Sequence, residues 1–487
     1  MQSTFEPLQA FVTSMMDNAL LMAATENNKF WSVVKEAIRG SRRDFTTSPI
    51  GISLFILSVP MIVEMFAESL FAIVDIFFVA HLGASAVAVV GLTESMMALV
   101  YAVAFGIAIG ATATVARRIG EKDPKGAADS ATHVIYMGVV VSLVMSVIGV
   151  LAAPAILDAL GAEPDVIELG VPFMRVMLGG NAVVVFLFIL NAIFRGAGDA
   201  AISMRVLWVA NILNMILSPC LIFGVGFFPQ LGVRGAAIGT TIGRGCGVLF
   251  AVWSLLKAEK RFEIHAANWR LDLRRLWSLA RLSSTAVLQF LVSTASWSAL
   301  VRVVAGFGSD AIAGYVIALR VVIFALLPSL GLSNAAATMV GQNLGAGKPE
   351  RSEAAVWRAA FFNAGFYFVV GLVLLFGAGA IVSFFTREAA VLTYAQSALH
   401  IIAFGFVFYG FGMVMETAFN GAGDTWTPTY LNFFVFWVFE IPLAYLLAYR
   451  FEMGPNGVFW AITLAFSLLA VVAAVMFSRG KWKTKKV

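Results

Sequence analysis

The chain is poor in charge. Only 13% of its 487 residues are Asp, Glu, Lys or Arg, against 60% hydrophobic, and the mean hydropathy is +0.89. A soluble domain carries about 25% charge, and one this apolar would expose greasy patches that aggregate. Cytosolic enzymes and nucleic-acid partners are excluded on that ground, despite a formal charge of +5. Cysteine is nearly absent: Cys220 and Cys246 both fall in apolar stretches, which leaves no disulfide framework and no thiolate cluster. The four histidines (His81, His133, His265, His400) lack metal-ligand spacing. There is no GxxxxGK phosphate loop, no GxSxG elbow and no HExxH helix. The sequence thus predicts no enzyme, no catalytic residue, no cofactor and no metal beyond a coupling Na⁺.

What remains is long apolar sequence. A helix crosses a bilayer with about 20 apolar residues, whereas outer-membrane barrels use roughly 10-residue alternating segments. The runs here are longer and do not alternate, so the fold is all-α and polytopic. Twelve spans are predicted, at 50–80, 86–116, 131–158, 168–194, 203–228, 234–256, 278–305, 311–341, 357–384, 391–418, 427–449 and 456–478. Lys and Arg gather in both tails and in alternate loops, leaving Arg234, Arg387 and Arg450 on the other side. The positive-inside rule then places both termini in the cytoplasm of an inner-membrane protein, which requires an even number of spans.

The sequence also repeats. FRGAGD at 194–199 recurs as FNGAGD at 419–424, and the same offset of 225 carries HLGASAVA at 81–88 onto GFGSDAIA at 306–313 and Pro124 onto Pro349. GVRG at 232–235 meets GPNG at 454–457 at the reduced offset of 222. Two pseudo-symmetric six-helix bundles follow, 45–257 and 278–478, joined by a cytoplasmic linker at 258–277. Residues 1–44 form a cytoplasmic or interfacial segment, with an amphipathic helix or a disordered tail as the two readings of Asn28–Gly40. Residues 479–487 are a basic cytoplasmic tail. Duplicated bundles around a cleft are the plan of many secondary transporters.

Ionisable groups inside spans mark function. The first span carries Glu64, Glu68 and Asp75, which at 100° per residue fall within roughly 40° of one another. The offset maps them onto Gln289, Ser293 and Leu300, so the acid stripe belongs to one half only. This places cation coupling in the N-terminal half, with pairing to Arg175 or Arg244 as the structural alternative. Gln289, Ser293, Tyr409, Glu416 and Asn181 are candidates for lining a substrate cleft. Glu94 and Glu440 are further buried acids.

Pro60 and Asp75 in VDIFFVAHLG, NILNMILSP in span 5, GVRGAAIGTT opening span 6, and RGAGD and GAGDTWTP after spans 4 and 10 stand in the order found in multidrug and toxic compound extrusion (MATE) transporters. The chain resembles that family over about 50–478. The resemblance implies efflux of organic, often cationic, small molecules in exchange for H⁺ or Na⁺, with Asp75 matching the acid implicated in coupling. One branch of the family adds a span-5 Asn and Asp and a span-6 Thr. Asn214 and Thr240 match the Asn and the Thr, but Ser218 stands where the Asp would be. The acids of spans 7 and 10 used by another branch fall near Ser293 and Tyr409. The expected partners are small organic substrates, H⁺ or Na⁺ and membrane lipids, and the expected state is a monomer. A flippase for lipid-linked or polysaccharide precursors is the alternative.

Overall fold

The computed structural model describes residues 30–257, 262 and 266–485. Residues 1–29 and most of 258–265, within the expected N-terminal segment and linker, lie outside them. A short helix occupies 30–39, within the expected amphipathic stretch. Twelve helical spans follow: α1 (Ile50–Ala80), α2 (Ala84–Gly120), α3 (Pro124–Ala159), α4 (Pro164–Gly196), α5 (Ala200–Phe223), α6 (Val233–Leu256), α7 (Leu273–Ala305), α8 (Ser309–Gly345), α9 (Pro349–Ser383), α10 (Ala389–Gly421), α11 (Trp426–Arg450) and α12 (Pro455–Ser478). Among the described residues there is no strand.

Several helices outrun their apolar cores. α2 continues through Arg117 and Arg118 to Gly120, and α7 begins at Leu273 rather than at 278. The early start of α7 has a local cause: the carboxylate of Asp272 accepts from the N–H groups of Arg274 and Arg275, capping the first turn. α4 is two helices, broken at Gly180. α11 runs through π-helical turns at Phe433–Glu440 and Leu446–Arg450.

The repeat reappears as turn geometry. Gly83 and Gly308 share φ 99°, Gly198 and Gly423 have φ 81° and 83°, and Lys122 and Gly347 have φ 59° and 70°. Each pair is 225 residues apart. α1 packs on α8 and, symmetrically, α7 packs on α2. Apolar residues of α1 (Leu54, Leu57, Met61) enter a cluster with α8, α10 and α12, so the halves interlock rather than merely touch.

Because the spans alternate in direction, one end of the bundle carries the start of α1, the end of α12 and most basic residues. There the basic tail is docked on the bundle. Trp482 is buried, stacks on Phe477 at 4.5 Å and donates to its carbonyl at 2.8 Å. Lys483 pairs with Glu353 at 2.6 Å and Lys485 with Asp424 at 3.1 Å, while Arg117 donates to the Lys485 carbonyl at 2.8 Å.

Candidate functional site

The three acids of α1 face inward, towards buried arginines. Arg195 donates to Glu64 at 2.9 Å, and the Glu64 side chain is 1% exposed. The position of Arg195 at the end of span 4, in FRGAGD, predicts that it is one of the loop cations of the basic side. The structure corrects this: α4 runs on through Arg195, which turns into the protein and is buried. Arg244 of α6 donates to Glu68 at 2.9 Å, and Asn211 of α5 donates to the other Glu68 oxygen at 3.3 Å. Arg244 also lies 5.2 Å from the Phe71 ring centre, and its Nε and Nη1 have no hydrogen-bond partner.

Asp75 stands one step further along α1. It feels the field of Arg244 and of Glu94, and its buried Oδ1 has no hydrogen-bond partner. Buried charges need compensation. Here three acids share two arginines, so one negative charge is left over, and Asp75 is the acid without a bonded cation.

α5 and α6 bring the motif-matched residues together. The Asn214 amide donates to the Thr240 hydroxyl at 2.8 Å, with both side chains buried. The buried Ser218 hydroxyl has no partner. Close packing of the two helices depends on Gly239, where a Cβ would press on Ser218 at 2.8–2.9 Å.

Glu64 and Glu68 open onto a cavity of about 240 Å³ between the two halves. Its walls also carry Asn191 and Arg195 of α4, Asn334 of α8 and Thr417 and Asn420 of α10. Phe105 of α2 stacks on Phe290 of α7 at 5.3 Å and 16°, joining the halves at its apolar side. Arg195 and Asn420 are repeat partners at the one position where FRGAGD and FNGAGD differ. That difference was the available signal for both residues.

The expected cleft residues divide. Gln289, Ser293 and Glu416 belong to a second polar cluster, in the C-terminal half. Asn432 of α11 donates to Ser293 at 2.9 Å and lies beside Glu416, whose buried Oε1 has no hydrogen-bond partner, while Gln289 keeps a buried, unpartnered Oε1. Asn211 on Glu68 and Asn432 on Ser293 are equivalent arrangements, since the fifth helix of each half addresses matching positions of the first. Asn181 lies away from the central cavity. Its amide bonds Leu178, Ser146 and Ser142 at 2.6, 3.0 and 3.3 Å, holding the break in α4. Tyr409 also lies elsewhere, against Phe466 at 3.9 Å in a small pocket with Glu440. Among the described residues no cluster of His, Cys, Asp and Glu could hold a metal ion.

Similarity to known proteins agrees with this architecture. The chain is 24% identical over 432 residues to the "Probable multidrug resistance protein NorM" of Thermotoga maritima, covering 88% of this chain and 93% of that one. It is 24% identical over 440 residues to the "FAD transporter" of Shewanella oneidensis, covering 90% and 96%. The fold matches a solved MOP superfamily transporter from Pyrococcus furiosus with a TM-score of 0.84 at 25% identity, over 91% of this chain and 98% of that one. That protein is described as having a binding pocket of reversed polarity that suggests a different function. The sequence model of the MatE family matches residues 60–220 and again 285–446, starting 225 residues later, at the spacing of the internal repeat. Twelve spans in two matching halves, an acid-bearing first helix against α5 and α6, and this doubled match make the chain a member of the MatE family of membrane transporters.

Proposed function

We propose that the protein is a secondary antiporter that exports organic cations across the inner membrane, with both termini cytoplasmic, in exchange for H⁺. The observation that carries this reading is the shared arginine. Arg244 is bonded to Glu68, which faces the cavity, and acts on Asp75, which does not. When Asp75 is ionised it competes for Arg244 and leaves the Glu68 carboxylate to a cationic substrate. When Asp75 takes up a proton, Arg244 returns to Glu68 and the substrate loses its counter-charge. Proton and drug thus bind alternately, and the difference in affinity between the two states is what drives transport.

Protons suit this site better than Na⁺. A hard cation wants several oxygens and no neighbouring positive charge, whereas Arg244 acts directly on Asp75 and Ser218 replaces an acid. The flippase reading draws on the arginines around the cavity and on the FAD transporter among the relatives. Both arginines are already bound to acids, so the cavity has little positive charge to offer an anionic head group.

The test is uptake of a fluorescent cation by proteoliposomes under separately imposed pH and Na⁺ gradients. Wild type should respond to the pH gradient, and Asp75→Asn should fold but lose exchange. Exchange by Asp75→Asn at the wild-type rate would refute the assignment. A deletion strain with a defective cell envelope and ordinary drug tolerance would favour the flippase.

A further inference from the structure

The C-terminal half buries an acid that the scheme above does not use. Glu440 is 0% exposed, and neither of its carboxylate oxygens has a hydrogen-bond partner. It faces a narrow, largely enclosed pocket of about 20 Å³, room for roughly one water. The walls are Trp297 and Leu300 of α7, Tyr315 of α8, Tyr409 and Ile402 of α10, and Phe466 of α12. Of these, only Tyr315 and Tyr409 titrate, and neither α7 nor α12 brings a charged group to the wall.

Two further observations point to a use for this residue. Leu300 is the repeat partner of Asp75. The C-terminal half therefore has an acid beside the Asp75-equivalent position, supplied by its fifth helix instead of its first. Glu440 also closes the π-helical turn Phe433–Glu440. Such turns are rare and are frequently found at functional sites.

We propose that Glu440 is a second proton-binding site of the transport cycle, the C-terminal counterpart of Asp75. A carboxylate with no cation and no donor would cost several kcal/mol to bury, so in this narrow pocket the group is the neutral acid. A metal ion is disfavoured because one carboxyl and two phenols give too few oxygens for a hard cation. When the pocket opens, the proton passes to water and the charged carboxylate is hydrated. Release is to the cytoplasmic side, and the proton is taken back from the outer side before the pocket closes again, so one H⁺ crosses the membrane in each cycle. The cycle then moves one more proton per substrate than Asp75 alone accounts for. This coupling role rests on the antiporter reading, whereas the protonation site itself does not.

The experiment has two arms on the full-length protein. The first is infrared spectroscopy of wild type and Glu440→Gln in lipid nanodiscs. One carbonyl band of a protonated carboxylic acid should be missing from the variant, and an unchanged band pattern would overturn the site. The second is the proton-to-substrate ratio in proteoliposomes, read from the pH gradient that just balances a fixed substrate gradient. Glu440→Gln should exchange with one proton fewer, and Glu440→Asp should restore the wild-type ratio. Loss of the infrared band with an unchanged ratio would make Glu440 a structural acid and overturn the coupling role. If wild type itself ignores the pH gradient, the antiporter reading fails, a result distinguishable because the infrared arm does not depend on it.

Discussion

Arg117 and Gln342 are counterparts across the pseudo-two-fold axis, each closing the basic end against the other half. A Cβ at Gly120 would collide with the Gln342 carbonyl, and one at Gly345 would collide with the Arg117 carbonyl. Arg117 reaches the Ala422 carbonyl at 3.4 Å, and Gln342 reaches the Gly196 carbonyl at 2.9 Å. The partners are related by the repeat, and so are the two loops they hold.

Gly345→Ala should therefore wedge α2 and α8 apart. Since the obstacle is backbone, relaxation cannot come from a side chain, and the expected cost is about 1–3 kcal/mol. The melting temperature in detergent should fall, and a cysteine introduced by Thr112→Cys at the cavity wall should become reactive from the basic end. Unchanged melting and reactivity would show that the contact is not a seal.

Arg195→Ala should be among the most damaging substitutions in the spans, at about 3–5 kcal/mol, because it strands the buried Glu64 carboxylate without its cation. The double change Glu64→Leu with Arg195→Met removes both charges and should recover most of that loss. Thermal unfolding of the single and double variants measures it. A double variant as unstable as Arg195→Ala would mean that the pair matters through shape and not charge.

Asn181→Ala should destabilise by about 1–3 kcal/mol by leaving its α3 and α4 acceptors unpaired. It should leave the response to pH gradients and the choice of substrate as they are. A changed substrate range would return Asn181 to the binding site.

The span content was legible because apolar length is read directly from sequence, and the first-helix acids stood out because charge in oil is rare. Other features were hidden by the same logic. Arg195 sits in a Gly-rich, polar-looking hexamer, so its inward turn could be inferred only from the mismatch with Asn420. The π-helical turns of α11 leave no mark in an evenly apolar run, which concealed how isolated Glu440 is. The residues matched by motif, Asn214 and Thr240, do meet, since both lie on helices whose register the small residues of α6 fix. Asn181 looked like cavity chemistry because a break in a helix and a binding cleft ask for the same kind of side chain.

One surface contact carries a pH signature. Arg43 grips Glu36 through two bonds of 2.7 Å, which holds the Glu36 carboxyl below its ordinary value of 4.5. A depressed carboxyl stabilises the fold fully above its ordinary value and ceases to as pH falls through the depressed one. The segment joining the 30–39 helix to α1 should exchange its amide hydrogens faster, relative to the intrinsic rate, in strongly acidic buffer than at neutral pH. The effect should be at most about 1 kcal/mol, because the pair is partly exposed. Glu36→Gln should abolish the difference, and an identical pH response in that variant would assign it to another group.

The docked C-terminus has a practical consequence. Lys485 is fastened to Asp424 in one half and to Arg117 in the other, and Trp482 anchors the chain just before it. Residues 482–485 are therefore a clasp between the two halves. A fluorescent or affinity fusion attached there pulls on that clasp, so its effect on turnover has to be measured before the fusion is used to report on the native cycle.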